Sequence, residues 1–221
     1  MAKVTLKDVT VADVYLAILA DRGVEYLFGN AGTDCAPLIE ALAKAQTLGT
    51  PIPEPITCPH ENTAQHMAIG HYLVSGRPQM TMMHVNVGTA NGLNGLLNAS
   101  RGNIPMIFTA GRTPTNEDQL PGHRDNVIHW TQEMYDQNGM AREAAKWDYE
   151  LRNAEQVETI IDRMLSLTLS DPKGPVYLSL PREVLSIPMK EFTYSTPSRV
   201  QPPLSAMPNP QSLEEAAAIL A

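Results

Sequence analysis

Short apolar runs alternate with stretches of helical periodicity along this chain, and that alternation restricts its fold more than any other feature. "VEYLF" (24–28), "PITC" (55–58), "QMTMMHV" (79–85), "IPMIFTAG" (104–111) and "GPVYLSLP" (174–181) each read as a short buried strand. Thr10, with Asp13 three residues on, predicts a capping box; behind it Val11, Val14, Tyr15, Ile18 and Leu19 fall on one helical face. Gly23 stops that helix. The turn "GNAGTD" leads into a second helix, "APLIEALAKA", and others begin near His60 and within "GTANGLNGLLNAS". Asn153 with Gln156 caps a later helix, lined on one face by Val157, Ile160, Ile161, Met164 and Leu165. Strands alternating with helices predict an α/β fold, a doubly wound, mostly parallel sheet with helices on both faces. Such a sheet meets ligands at the carboxyl ends of its strands.

The texture changes after residue 187. Residues 188–211 carry six prolines (188, 197, 202, 203, 208 and 210) and read as an extended linker. Ser212 and Glu215 predict a capping box opening "LEEAAAILA", a helix too short to be stable alone. The expected organisation is therefore a ligand-binding domain over 1–187, a linker over 188–211 and the start of a further domain over 212–221. On this reading the chain is the front part of a longer protein.

Composition excludes several classes of function. A net charge of −8 opposes nucleic-acid and anionic-membrane surfaces, which require an excess of Lys and Arg. No apolar run approaches the roughly 20 residues that span a bilayer, and "MAKVTLKDVT" lacks the apolar core of a signal peptide. The cytoplasm is the expected compartment. Cys35 and Cys58 have no metal-knuckle spacing and read as reduced, buried small residues.

The stretch "PITCPHENTAQHMAIG" (55–70) places His60 and Glu61 directly after a strand. A zinc helix needs two histidines one turn apart. His60, His66 and His71 are separated by six and five residues, rotations of roughly 240° and 140°, so no two share a face. No metal ligands are expected. Glu61 reads either as a first-turn carboxylate, favoured by the helix dipole, or as a functional group at a strand's carboxyl end. The loops "FGNAGTD" (28–34) and "HVNVGTANGLNG" (84–95) are not G-x-G-x-x-G, and no G-K-[ST] sequence exists, so the usual nucleotide sites are unsupported. A close approach of their backbone to a flat ring is left open. His84, ending an apolar strand, reads from the residues alone as a satisfied core histidine, and His123 and His129 as loop-surface residues. No G-x-S-x-G elbow or Ser/His/Asp triad can be picked out.

Five segments carry a resemblance over about residues 8–190: "VEYLFGNAGTDCAPLIEAL", "CPHENTA", "NVGTANGLNGLLNASRGNIPMIFTAG", "AAKW" and "GPVYLSLPREV". In this order they resemble the N-terminal, pyrimidine-binding domain of thiamine diphosphate-dependent enzymes of the acetolactate synthase, pyruvate oxidase and benzoylformate decarboxylase superfamily. Ala31 departs from the pattern, since many members have proline there.

The resemblance implies a specific chemistry. The glutamate at the position of Glu61 hydrogen-bonds a ring nitrogen of the aminopyrimidine, and the cofactor serves as electron sink for a substrate carbonyl. That role asks for a carboxyl able to share a proton, which an apolar cleft favours. Asn30, Ala31, Gly32, Gly88 and Asn91 correspond to cofactor-facing positions. Thr33 falls where decarboxylase-like members place a hydroxyl near the substrate carboxylate, and His84 where they carry an acid/base histidine. Magnesium and the diphosphate belong to a C-terminal domain whose G-D-G…N motif this chain lacks. The implied protein is a lyase or transferase that decarboxylates or joins 2-oxo acids or aldehydes, as a homodimer or homotetramer with sites at subunit interfaces. These residues alone are expected to be inactive. Two alternatives are a non-catalytic binding or assembly domain, which has no need of Glu61, and the pyrimidine-binding subunit of a two-subunit decarboxylase.

Overall fold

A computed structural model describes every residue except Met1, Ala31 and Ser205. The chain opens with β1 (Ala2–Thr10), then α1 (Val11–Asp21), β2 (Tyr26–Gly29), α2 (Ala36–Leu48), β3 (Glu54–Thr57) and α3 (Glu61–Ser75). It continues through β4 (Met80–Met83), α4 (Val85–Arg101), β5 (Ile107–Arg112), and the short α5 (Ile128–Thr131) and α6 (Gly139–Arg142). The last third holds β6 (Asp148–Glu150), α7 (Val157–Leu169), β7 (Val176–Pro181), α8 (Arg182–Leu185), β8 (Pro188–Thr196) and α9 (Pro210–Leu220).

Six strands form one parallel sheet in the order β3-β2-β4-β5-β7-β6. Alternation along the strands assigns side chains to its two faces. Met80, Met82, Ile107, Val176, Leu178 and Leu180 enter a core shared with α1, α2 and α7. Met83, Phe108 and Tyr177 enter a second core against α3 and α4. The sheet is therefore doubly wound, as expected. After β2 the chain passes to β3 on one side and then returns to β4 on the other, so the topological switch point lies between β2 and β4.

The capping boxes and periodicities explain the helices. At the start of α1, Asp13 Oδ2 accepts the Thr10 N–H at 2.8 Å while Thr10 Oγ1 accepts the Asp13 N–H at 3.3 Å. Val11, Val14, Tyr15, Ile18 and Leu19 are buried. Asn153 accepts the Gln156 N–H at 3.1 Å, but on a 3₁₀ turn that precedes α7. Both cysteines are free and buried.

Two expectations need correction. Residues 188–196 are not linker: β8 pairs antiparallel with β1, from Ala2 opposite Thr196 to Thr10 opposite Pro188. Pro188 is tolerated because it occupies the first position of a two-stranded ribbon. Helical capping near the C-terminus also falls three residues earlier than predicted. Asn209 accepts the N–H groups of Gln211 and Ser212, with Pro210 in the first turn, the position where its fixed φ suits a helix. No residue of α9 is buried.

Candidate cofactor-binding site

Three of the carboxyl ends around the switch point carry the polar residues singled out by the sequence. Beyond β3, the His60 side chain accepts the Asn62 N–H at 3.1 Å and so caps α3. Glu61 becomes the first helical residue, only 7% exposed. Its Oε2 accepts a hydrogen bond from Asn91 Nδ2 of α4 at 3.2 Å, whereas Oε1 has no protein hydrogen bond among the described residues. The helix-start reading of Glu61 is thus correct as far as it goes, because the carboxylate sits at the positive end of α3. Asn91 itself is exposed.

Helices α3 and α4 approach closely because α4 has glycine where they touch. A Cβ at Gly95 would stand 2.3 Å from Gln65 Cβ, and one at Gly92 3.0 Å from Gln65 Nε2 and 2.9 Å from the Phe108 ring of β5. A Cβ at Gly88 would lie 3.0 Å from Met83 Cβ, and the Gly88 N–H donates to the His84 carbonyl at 2.7 Å. Its role here is to let the first turn of α4 lie on the end of β4.

Beyond β2, Asn30 donates its N–H to the Met82 carbonyl at 3.1 Å, tying the turn to the neighbouring strand. Ala31 lies outside the described residues. Gly32 precedes a single 3₁₀ turn, Thr33–Cys35, in which Thr33 is exposed and Asp34 is buried. His84 stands at the N-cap position of α4, just after β4, without a side-chain capping bond, and its Nδ1 is instead hydrogen-bonded to Asp34 Oδ1. The hydrogen bond that Asp34 accepts raises the His84 pKa above its ordinary value. Burial opposes the rise; the charge of Asp34, the Gln132 side chain and the charge of Glu61 add to it. His84 is thus a half-buried histidine satisfied by Asp34, and the charge of Glu61 also acts on it.

His129 departs from its expected surface position. It is buried, with Nδ1 accepting the Asp125 N–H at 3.3 Å and Nε2 3.4 Å from Arg182 Nη1. Burial lowers its pKa and the Arg182 charge lowers it further. His66 spans α3 to α4, with Nδ1 2.8 Å from the Asn62 carbonyl and Nε2 3.0 Å from Asn98 Nδ2. Among the described residues, no three His, Cys, Asp or Glu side chains are grouped to hold a metal ion. Nor is any helix among them long and apolar enough to cross a membrane.

The sequence profile described as "Thiamine pyrophosphate enzyme, N-terminal TPP binding domain" matches residues 9–140, more than half of the chain. The chain belongs to this family. It is 28% identical over 174 residues to benzoylformate decarboxylase of Pseudomonas aeruginosa, covering 78% of this chain and 30% of that protein. It is 24% identical over 196 residues to the acetolactate synthase large subunit of Haemophilus influenzae, covering 89% and 32%. The mitochondrial acetolactate synthase catalytic subunit of Saccharomyces cerevisiae is 23% identical over 175 residues, covering 79% and 23%. The chain thus spans about a third or less of the length of these relatives.

A thiamine pyrophosphate-binding domain must meet a flat, nitrogen-bearing ring, and the residues present fit that demand. Glu61 offers one carboxylate oxygen already braced by Asn91 and a second without a hydrogen bond among the described residues. Gly32 and Gly88 keep side-chain bulk away from the ends of β2 and β4. Asp34 was not among the sequence-derived candidates. Its signal, an acidic residue in a Gly-rich turn, gains meaning only once His84, fifty residues later, is beside it.

Proposed function

We propose that this chain is the pyrimidine-binding part of a thiamine diphosphate-dependent 2-oxo acid decarboxylase or carboligase. The observation that carries the reading is Glu61, buried at the head of α3, braced through Oε2 by Asn91 and open at Oε1. The bound cofactor supplies an electron sink for the substrate carbonyl. Glu61 holds the pyrimidine ring by a hydrogen bond to a ring nitrogen and shares a proton there. Asn91 fixes the rotamer of that carboxyl. Asn30, Gly32 and Gly88 line the same end of the sheet and would let backbone approach the ring, and Ala31 is assigned to that role from its place in the sequence alone.

His84 is the acid/base group facing the substrate, and Thr33 is the hydroxyl that receives the substrate carboxylate. Partnered by Asp34, His84 supports the benzoylformate decarboxylase-like branch over the acetolactate synthase-like one. The residues described here offer no cluster for magnesium. We assign the ion and the diphosphate to a C-terminal domain, reached through the extended segment after Thr196, with α9 at its start. The assembled protein is a cytoplasmic homodimer or homotetramer with sites at subunit interfaces, acting as a lyase or transferase.

A panel of 2-oxo acids, offered to the intact gene product with thiamine diphosphate and magnesium, tests the reading. Turnover of at least one is expected, falling by about 10²–10⁴-fold in Glu61→Gln. Full turnover in that variant would remove Glu61 from the chemistry.

A further inference from the structure

We propose that Asp34 is the positioning residue for His84: its carboxylate holds the imidazole with Nδ1–H turned into the protein and leaves Nε2 to face the reacting substrate. The proposal rests on the acid–base reading of the site given above. Asp34 is 1% exposed, and its Oδ1 lies on His84 Nδ1 while Oδ2 takes the Val85 N–H at 3.4 Å. With the carboxylate as acceptor the shared hydrogen sits on Nδ1, and the neutral ring carries its lone pair on Nε2. When Nε2 takes a proton from the substrate, the imidazolium forms beside a carboxylate; when it returns that proton, the neutral tautomer is restored.

Two glycines make room for the pair. A Cβ at Gly32 would lie 1.9 Å from His84 Nδ1, and one at Gly111 would lie 1.4 Å from Asp34 Oδ2. Neither position has the positive φ that makes glycine a conformational necessity: Gly32 has φ −143°, and Gly111 is not among the positive-φ residues. Space is what both provide. Gly111 is anchored in turn, because Gln137 Nε2 donates to its carbonyl at 2.7 Å and to Tyr177 Oη at 2.9 Å. Val85, directly after His84, has φ +33°, a conformation that β-branched residues rarely adopt.

Several groups set the titration of this imidazole. Asp34 faces it from the turn after β2, Glu61 from α3, and Gln132 from the segment after α5. The charge of Asp34 also acts on His129 of α5, which is itself next to Asp125 and Arg182.

Carbethoxylation of His84 by diethyl pyrocarbonate, mapped by peptide mass across pH in the cofactor-free intact protein, reads its protonation without turnover. Asp34→Asn is expected to move the half-point to lower pH, and Gly111→Ala, which evicts the carboxylate sterically, to move it the same way. In the loaded enzyme the matching limb of the kcat profile should shift likewise, with kcat lower by about 10–100-fold and KM little changed. A half-point unchanged in both variants overturns the proposal. If neither variant folds, long-range ¹H–¹⁵N spectra of the wild-type imidazole decide: a neutral Nδ1–H tautomer supports the pairing, and Nε2–H refutes it. A His84→Ala enzyme with normal turnover would instead overturn the acid–base reading, while the half-point and tautomer would still report on the pairing.

Discussion

Gly95→Ala should destabilise the protein although alanine is the better helix former. The added Cβ would stand 2.3 Å from Gln65 Cβ and 2.9 Å from Gln65 Cγ. Carbon atoms in contact prefer about 3.5–4.0 Å, so α3 and α4 must separate by roughly 1.2–1.7 Å at this point. A β-carbon is fixed by its backbone and cannot swing aside, so overpacking of about 1–3 kcal/mol is expected. Helix propensity returns up to about 1 kcal/mol. Gly70→Ala supplies the control: it lies within α3, is exposed and would meet nothing within 4 Å. That variant should gain about 0.5–1 kcal/mol. Urea unfolding of the three proteins isolates the contact, since the difference between the two variants is the overpacking itself. At an m value of about 2 kcal/mol/M, 1–3 kcal/mol separates their midpoints by about 0.5–1.5 M. Separating the helices should also lengthen the 3.2 Å Asn91–Glu61 hydrogen bond and weaken cofactor binding in Gly95→Ala alone. A Gly95→Ala protein as stable as Gly70→Ala would refute this account of the α3–α4 seam.

Tyr177→Phe should cost about 1–3 kcal/mol in urea unfolding. It leaves Thr89 Oγ1 and Gln137 Nε2, now 2.8 and 2.9 Å from the buried phenol, without that partner. Burial also pushes the Tyr177 pKa up to about 12, so the lost group is a neutral hydroxyl throughout the working range. A second expectation concerns acid. Because the folded His129 pKa is depressed, by burial first and Arg182 second, its contribution to stability is full above about pH 6.5 and is lost as pH falls towards the folded value. His129→Gln should flatten the fall in unfolding midpoint between about pH 7.5 and 5, and an unchanged slope would contradict it. His84 runs the other way: its raised pKa gives a contribution that is full below about pH 6.5 and is lost as pH rises through the folded value.

What the sequence made legible were features carried by neighbours along the chain. Thr10 and Asp13 are three residues apart, and Val11 to Leu19 repeat at helical spacing, so α1 could be read directly. Strands β4, β5 and β7 are buried on both faces and stand out as apolar runs. By contrast β1 and β8 are half exposed and pair across nearly the whole chain, so neither shows as an apolar run. The three-residue β6 is too short for any pattern. At the site, Glu61 was legible because one turn of helix and its strand lie beside it. Asp34 and His129 were not: their partners His84 and Arg182 are 50 and 53 residues away, and only the fold brings them together. At α9 two start signals competed, and Asn209 followed by Pro210 prevailed over Ser212 and Glu215.

Glu61 is proposed to activate the cofactor from this domain. Exchange of the thiazolium C2 proton for deuterium, followed by quenched-flow NMR in the intact protein loaded with thiamine diphosphate and magnesium, tests it without any substrate. Wild-type protein should exchange this proton about 10²–10⁴-fold faster than Glu61→Gln, with cofactor still bound in the variant. Equal exchange rates in the two loaded proteins would contradict the account.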